Sequence, residues 1–335
     1  MKLAVRRLRL SFISVIILIA ILALSPIINV PKYLILYLFL FFIYLSMANM
    51  WNLLAGYSGL ISLCPAAFIG LAGYTLTIAT WLGYAWYWGI LLGGIVAALF
   101  AILISYPVFR MKGIYFAIAT LIVPQILRFI FSLWKPVGEK VYGGGAGYII
   151  KGIADVSQSQ LYWISLVIGV GSILLVRYIL RSKLGLGLAA IRDNDASAAS
   201  SGVDVLKLKV SSFAISAFLT GIAGATYYVY SGYIEPVSGF GIQWLIAIML
   251  ATVIGGIGTE AGPIIGTIIY VFLSFLLTRY SNISLLIQGV ILVVIMSLAP
   301  KGIIGFIHDT RTYLSLLQFF TKRCEWCRAK IHKVS

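Results

Sequence analysis

Residues 183–209 read KLGLGLAAIRDNDASAASSGVDVLKLK. No longer run in this chain is barred from a bilayer. It carries Lys183, Arg192, Lys207 and Lys209 together with Asp193, Asp195 and Asp204. Charges inside hydrocarbon are expensive, so a segment this dense in them stays in water. A set of apolar runs precedes it and a smaller set follows. The expectation is a water-exposed loop at which a membrane protein meets a soluble partner.

Composition sets the solvent for everything else. Of 335 residues, 61% are hydrophobic and 10% charged, with a mean hydropathy of +1.05. Soluble domains carry roughly 25% charged residues. A chain this poor in charge cannot cover a water-facing surface, so the fold class is an all-α polytopic membrane helix bundle. Barrel strands alternate and run only about ten residues, which the long apolar runs here do not. The net charge of +16 fits a cytoplasmic face meeting anionic lipid rather than nucleic acid.

Ten transmembrane spans are expected: 12–28, 33–54, 60–80, 86–106, 113–133, 161–180, 210–230, 242–257, 263–277 and 283–299. Several are short for a core that needs about 20 residues, and glycine interrupts them. That combination predicts discontinuous helices buried in protein. The first apolar run follows Lys2, Arg6, Arg7 and Arg9. Its Leu24-Ser25-Pro26 end is a poor cleavage context, so an uncleaved helix is expected.

Charge checks the count. With the N-terminus in the cytoplasm, ten crossings return the C-terminus there. Nineteen of the 25 Lys and Arg residues then lie inside, leaving outside Lys32, Arg128, Lys135, Lys140, Lys151 and Arg279. This asymmetry puts residues 183–209 in the cytoplasm. One transmembrane domain, 1–320, is expected, with a basic cytoplasmic tail at 321–335. Trp81, Tyr84, Trp86, Tyr87 and Trp88 fall at the outer boundary and fit an interfacial belt. The outer loop 134–160 holds glycines at 143, 144, 145 and 147, which read either as a flexible loop or as a close-approach surface for an external partner.

Several chemistries are missing from the sequence. There is no GxxxxGK[ST] phosphate loop. His308 and His332 both lie beyond the last expected span, which excludes paired histidines holding haem in the membrane. No expected span has a central Asp or Glu, which argues against a self-powered carrier. Cys324 and Cys327 make half a zinc site, with His332 a third candidate, but two reduced thiols are the simpler reading. No metal or cofactor is expected.

Polar residues within the spans are neutral: Asn49, Asn52, Gln125, Gln243 and Gln288. In lipid such side chains usually bond another helix. The alternative is that Asn49, Asn52, Gln125 and Gln243 line a solute route. Arg128 lies near an outer helix end and snorkels or guides an acidic group. Two glycine stretches, 56–59 and 255–258, sit at corresponding cytoplasmic turns in the two halves, which suggests an internal repeat. In the loop, Asp193 or Asp195 is a fair N-cap for a short helix over 196–201, with Gly202 at its end. A helix of Ala and Ser can sit deep in a partner's groove.

These segments, in order, resemble the LivM-type membrane permease of branched-chain amino-acid ABC importers. The likeness runs through NLLAGYSGL at 52–60, GLAGY at 70–74, GIYFAIATL at 113–121 and the loop at 143–147. It continues in GLGLAAIRDND at 185–195 with Ala198, Ala199 and Gly202, then GIAGA at 221–225, GGIG at 255–258 and PKGIIG at 300–305. The resemblance covers roughly residues 33–305 and implies a permease subunit with no ATP-binding site of its own. It implies a second permease of the LivH type, two cytoplasmic ATPase subunits and an extracytoplasmic solute-binding protein as partners. It also implies that Arg192, Asp193, Asp195, Ala198, Ala199 and Gly202 contact the ATPase. Leucine, isoleucine or valine is the expected cargo, with urea, short amides or other amino acids as alternatives. A self-sufficient channel or carrier, or a purely structural membrane subunit, are the readings of a different class.

Overall fold

The computed structural model describes residues 26, 31–111, 113–134, 144–277, 281–298 and 302–304. The expected first span at 12–28 apart from residue 26, the basic N-terminus, Lys112, Lys135, Lys140, Gly143, Arg279 and the C-terminal residues with both histidines, Cys324 and Cys327 lie outside the described residues.

In chain order the elements are α1 (Lys32–Asn52), continued by a π turn (Leu53–Tyr57), then α2 (Pro65–Trp81), α3 (Trp86–Val108) and α4 (Ile114–Leu133). A 3-10 turn (Gly144–Ala146) and β1 (Tyr148–Ile149) precede α5 (Gln158–Arg181), α6 (Lys183–Asp193) and α7 (Asp195–Ser200). There follow α8 (Val205–Ser231), β2 (Tyr233–Ile234), α9 (Pro236–Gly239), α10 (Ile242–Gly255), α11 (Gly262–Leu277) and α12 (Ser281–Leu298). Nine of these helices answer to the nine expected spans that fall on described residues. Seven helical segments are long and apolar enough to cross a membrane. Among the described residues, the two that do not reach that length are α2, with 17 residues, and α11, with 16, while α10, with 14, reaches it only together with α9. The fold is an all-α polytopic membrane bundle.

Local sequence explains the helix starts. Pro65 occupies the first turn of α2, where its missing N–H costs nothing. Ser157 and Gln160 form a reciprocal capping box at α5. The expected span 60–80 begins later than its hydropathy implies, because residues 58–64 leave the helix while Ser58, Ser62 and Cys64 stay buried. Their polar groups are met inside the protein. Trp51 Nε1 donates to the Ser62 carbonyl at 2.8 Å, and Leu63 N–H donates to Thr120 Oγ1 at 2.9 Å. Irregular backbone at membrane depth survives only with such partners.

Helix packing rests on small residues. The most extensive contacts join α3 to α8, α2 to α3 and α1 to α5. A Cβ on Gly93 would stand 2.8 Å from the Ala72 carbonyl oxygen, and one on Gly221 would stand 2.8 Å from Ala97 Cβ. Lipid provides no hydrophobic drive between helices, so close backbone approach supplies the attraction. The core at this crossing includes Phe39, Met47, Trp51, Phe68, Ile69 and Phe213. By contrast α4 buries only the stripe Phe116, Thr120, Pro124 and Leu127.

Candidate functional site

The charged stretch folds into two helices that turn at Asn194. There the backbone is extended, with φ −164° and ψ 116°, so α6 stops at Asp193. The Asn194 Oδ1 accepts from the N–H groups of Ala196 at 2.9 Å and Ser197 at 3.1 Å. The N-cap is therefore the residue between the two expected aspartates, and α7 starts one residue early. Asn caps as well as Asp, so residue type alone does not choose among three in a row. Freed from capping, Asp195 pairs with Lys209 Nζ at 2.5 Å and ties α7 to the first turns of α8. Asp204 caps α8 through Lys207 N–H at 3.1 Å. Lys207 Nζ lies 2.9 Å from the same carboxyl and holds it below its ordinary value.

At its far end α7 closes with Gly202 N–H donating to Ala199 O at 3.0 Å and Val203 N–H to Ala198 O at 3.1 Å. This reversal needs a left-handed residue, and Gly202 has φ +82°. The two central alanines part company. Ala198 is buried, whereas Ala196, Ser197, Ala199 and Ser200 are exposed. Asp193 projects outward with its side chain 79% exposed. The loop thus offers a face of small side chains on a helix pinned from behind.

Arg192 reaches back into the bundle. Its Nη1 donates to the Gly56 carbonyl at 3.1 Å, across 136 residues of sequence. Gly56 lies in the π turn that ends α1, where no backbone N–H among the described residues takes its carbonyl. A cation at a helix C-terminus satisfies such a group and complements the dipole. Beside it, Asn52 Nδ2 donates to Thr259 O at 3.0 Å, and its Oδ1 accepts from Gly258 N–H at 2.8 Å. The two glycine stretches therefore meet. A Cβ on Gly56 would lie 2.5 Å from the Gly258 nitrogen. Gly302, from the closing PKGIIG segment, abuts Gly256: a Cβ there would lie 2.5 Å from the Gly256 Cα.

The four candidate route residues divide. Asn49 is buried and donates to Ser172 Oγ at 3.0 Å, joining α1 to α5. Asn52 is buried and spent on the α10–α11 turn. Gln243 is exposed at the start of α10 and donates to Ser238 O at 3.4 Å. Gln125 is exposed halfway along α4, next to Pro124, and its side chain has no hydrogen bond among the described residues. The structure does not bring these four together. The hydrogen bonds of Asn49 and Asn52 match the helix-bonding role expected of neutral polar residues in lipid.

At the opposite end, the outer-loop glycines are held in place. β1 pairs antiparallel with β2, Tyr148 opposite Ile234 and Ile149 opposite Tyr233. Sequence reading expected only a loop here, since two-residue strands leave no periodicity. A Cβ on Gly147 would lie 2.5 Å from the Ile234 carbonyl oxygen, so this glycine permits the close approach. The Tyr148 hydroxyl donates to Trp134 O at 2.7 Å and accepts from Gly144 N–H at 2.9 Å. Trp81 Nε1 donates to Ile149 O at 3.2 Å. The Ile149 side chain remains 70% exposed. Tyr84, Tyr87 and Trp88 are exposed nearby in chain, as a belt requires.

Residues 33–296 match the family described as the permease component of the branched-chain amino acid transport system. The chain is similar to the high-affinity branched-chain amino acid transport system permease protein LivM of Salmonella typhimurium, with 26% identity over 304 residues, 82% of this chain and 70% of that protein. It is also similar to the probable branched-chain amino acid transport permease protein LivM of Methanocaldococcus jannaschii, 24% identical over 74% of this chain and 72% of that protein. The probable LivH permease of the same organism is 26% identical over 56% of this chain and 63% of its own length. No solved structure matches.

Proposed function

The chain belongs to the branched-chain amino acid transport permease family, and from that premise we propose that residues 183–209 are where it receives work from ATPase subunits. It is a multi-pass transport permease of a multi-subunit system for branched-chain amino acids. The cargo is leucine, isoleucine or valine. The finer assignments are our own reading: a LivH-type second permease, two cytoplasmic ATPase subunits, and a solute-binding protein on the face that carries Ile149. Both termini are cytoplasmic, and 1–320 is one permease domain with a tail at 321–335. Gln125 faces the solute route, since an unpartnered amide halfway along a span is costly against lipid.

The observation that carries the reading is the exposed small-residue face of α7 backed by fixed anchors. Arg192 holds the loop to α1 and Asp195 holds it to α8, while Ala199 and Ser200 face water. A docking helix needs both features: room for a partner's groove and a rigid connection behind it. ATP binding closes the ATPase pair, the loop moves, and the spans alternate access.

The test uses the complex of all subunits in proteoliposomes, with ATP hydrolysis and leucine uptake measured together. Ala199→Trp is expected to leave the permease folded and to lower solute-stimulated hydrolysis by about tenfold. Ala198→Trp is expected to prevent α7 from seating, because its side chain is buried. Unchanged stimulation in Ala199→Trp would refute the docking role. Uptake of urea in place of leucine would refute the cargo.

A further inference from the structure

We infer that Arg192, Asn52 and the two glycine turns form a coupling joint, with Arg192 as the positioning residue that passes movement of the α6–α7 loop to both halves of the bundle. This rests on the reading that an ATPase moves that loop. Three segments distant in sequence converge here through single, directional contacts. Arg192 holds the Gly56 carbonyl, and Asn52, four residues earlier on the same helix, holds the Gly258 N–H and the Thr259 carbonyl. The route from the loop to the α10–α11 turn is therefore two hydrogen-bonded steps long.

The joint leaves little slack. Gly56 has no room for a side chain against Gly258, and Gly59 sits against Arg192, where a Cβ would lie 3.3 Å from the Arg192 Cγ. A shift of Arg192 must move the π turn, and a shift of the π turn must move the α10–α11 turn. The π turn Leu53–Tyr57 is the element that would rearrange. It holds one residue more than an α turn, so a return to α geometry would reorient the Gly56 carbonyl and release Arg192. The Tyr57 hydroxyl in that turn lies beside the Asn52 side chain, so the π turn and the joint share one polar cluster.

Location separates this joint from ordinary helix glue. The Asn49–Ser172 bond is buried between two continuous helices. The Arg192 side chain is 49% exposed and leads directly from the loop's water-facing surface into a break between helices. Broken backbone at a bundle end is where rigid segments pivot.

The experiment compares Arg192→Ala and Asn52→Ala with Arg177→Ala, an exposed change on α5 outside both the loop and the joint, in the complete complex in proteoliposomes. The readouts are ATPase subunits retained, ATP hydrolysed, and leucine moved per ATP. Both joint variants are expected to retain the ATPase subunits and to hydrolyse ATP, while leucine per ATP falls by about tenfold. Arg177→Ala is expected to keep the wild-type ratio. Hydrogen exchange of the wild-type complex, with and without ATP, supplies a test that needs no variant. Amides 53–59 and 255–262 are expected to change together. The inference is overturned if leucine per ATP stays within about twofold of wild type, if Arg192→Ala sheds its ATPase subunits, or if neither amide segment responds while 195–202 does. A wild-type complex without any ATPase subunit would instead overturn the reading beneath it.

Discussion

The two ends of the bundle are closed by different physics. At one end Tyr74, Phe131 and Phe240 stack pairwise in a triangle, at centroid distances of 4.2, 5.8 and 5.4 Å, with Trp134 and Tyr148 edge-on to Tyr74 and Trp81 edge-on to Tyr148. A short β ribbon lies over this cluster. At the other end, Arg192, Asn52 and the glycine turns meet through individual hydrogen bonds and bare backbone. Aromatic packing spreads its stabilisation over many atoms, so no single displacement undoes it. A joint of a few directional bonds yields when one partner moves. One end is built to keep its shape and present a surface; the other is built to transmit a movement.

The sharpest way to break this contrast is to fill the glycine contact. Gly56→Val would force a side chain against the Gly258 backbone, whose nitrogen an added Cβ would meet at 2.5 Å. Loss of about 3 kcal/mol or more is expected, seen as a collapse of the thermal transition in detergent. Gly145→Val is the matched control at the other end, with nothing within 4 Å of its added Cβ. It should leave the transition within a few degrees. Equal losses in the two variants would end the distinction between a tight joint and a covered surface.

A smaller effect is expected from Tyr148→Phe. It removes the hydroxyl that bridges Trp134 O and Gly144 N–H and should cost about 1–2 kcal/mol, because the ring stacking stays. If this end only presents a surface, binding-protein affinity will weaken while ATP hydrolysis by the remaining subunits is unaffected. A matching fall in basal hydrolysis would show that both ends take part in transmission.

The smallest effect concerns the loop's own capping. Lys207 holds the Asp204 carboxyl below its ordinary value. A lowered folded pKa contributes stability in full above the unfolded carboxylate value of about 3.9 and loses it as pH falls through the lower folded value. The pair is solvent-exposed, so screening keeps the contribution small. Thermal transitions measured from about pH 6 down to about pH 3 should fall slightly less steeply for Asp204→Asn than for the wild type. Identical slopes would remove Asp204 from the account of how α8 starts.

Much of the architecture was legible in the chain because lipid is an undemanding solvent to read. Length and apolarity suffice to find a span, and they located nine helices among the described residues. The glycine stretches at 56–59 and 255–258 were visible as breaks. Their contact with each other was not, since Asn52 and Gly258 are 206 residues apart in sequence. Asn52 looked equally like a route-lining amide and a helix bond until its two partners were in view. Arg192 stood out as a loop charge facing a partner, and the structure turns its guanidinium inward to Gly56. Ala198 and Ala199 look alike in the chain, but the rotation of α7 buries one and exposes the other.

Residues 183–209 carry the same division. Their charge alone excluded them from the bilayer, and their Ala and Ser content gave a helix with a shallow surface. Those are properties of side-chain solvation and backbone propensity, and they are local. What the loop grips, and therefore what it can move, depended on hydrogen-bond partners brought in from both halves of the chain. Only the packed bundle decides that, because a single carbonyl's direction at Gly56 is set by the helices that meet there.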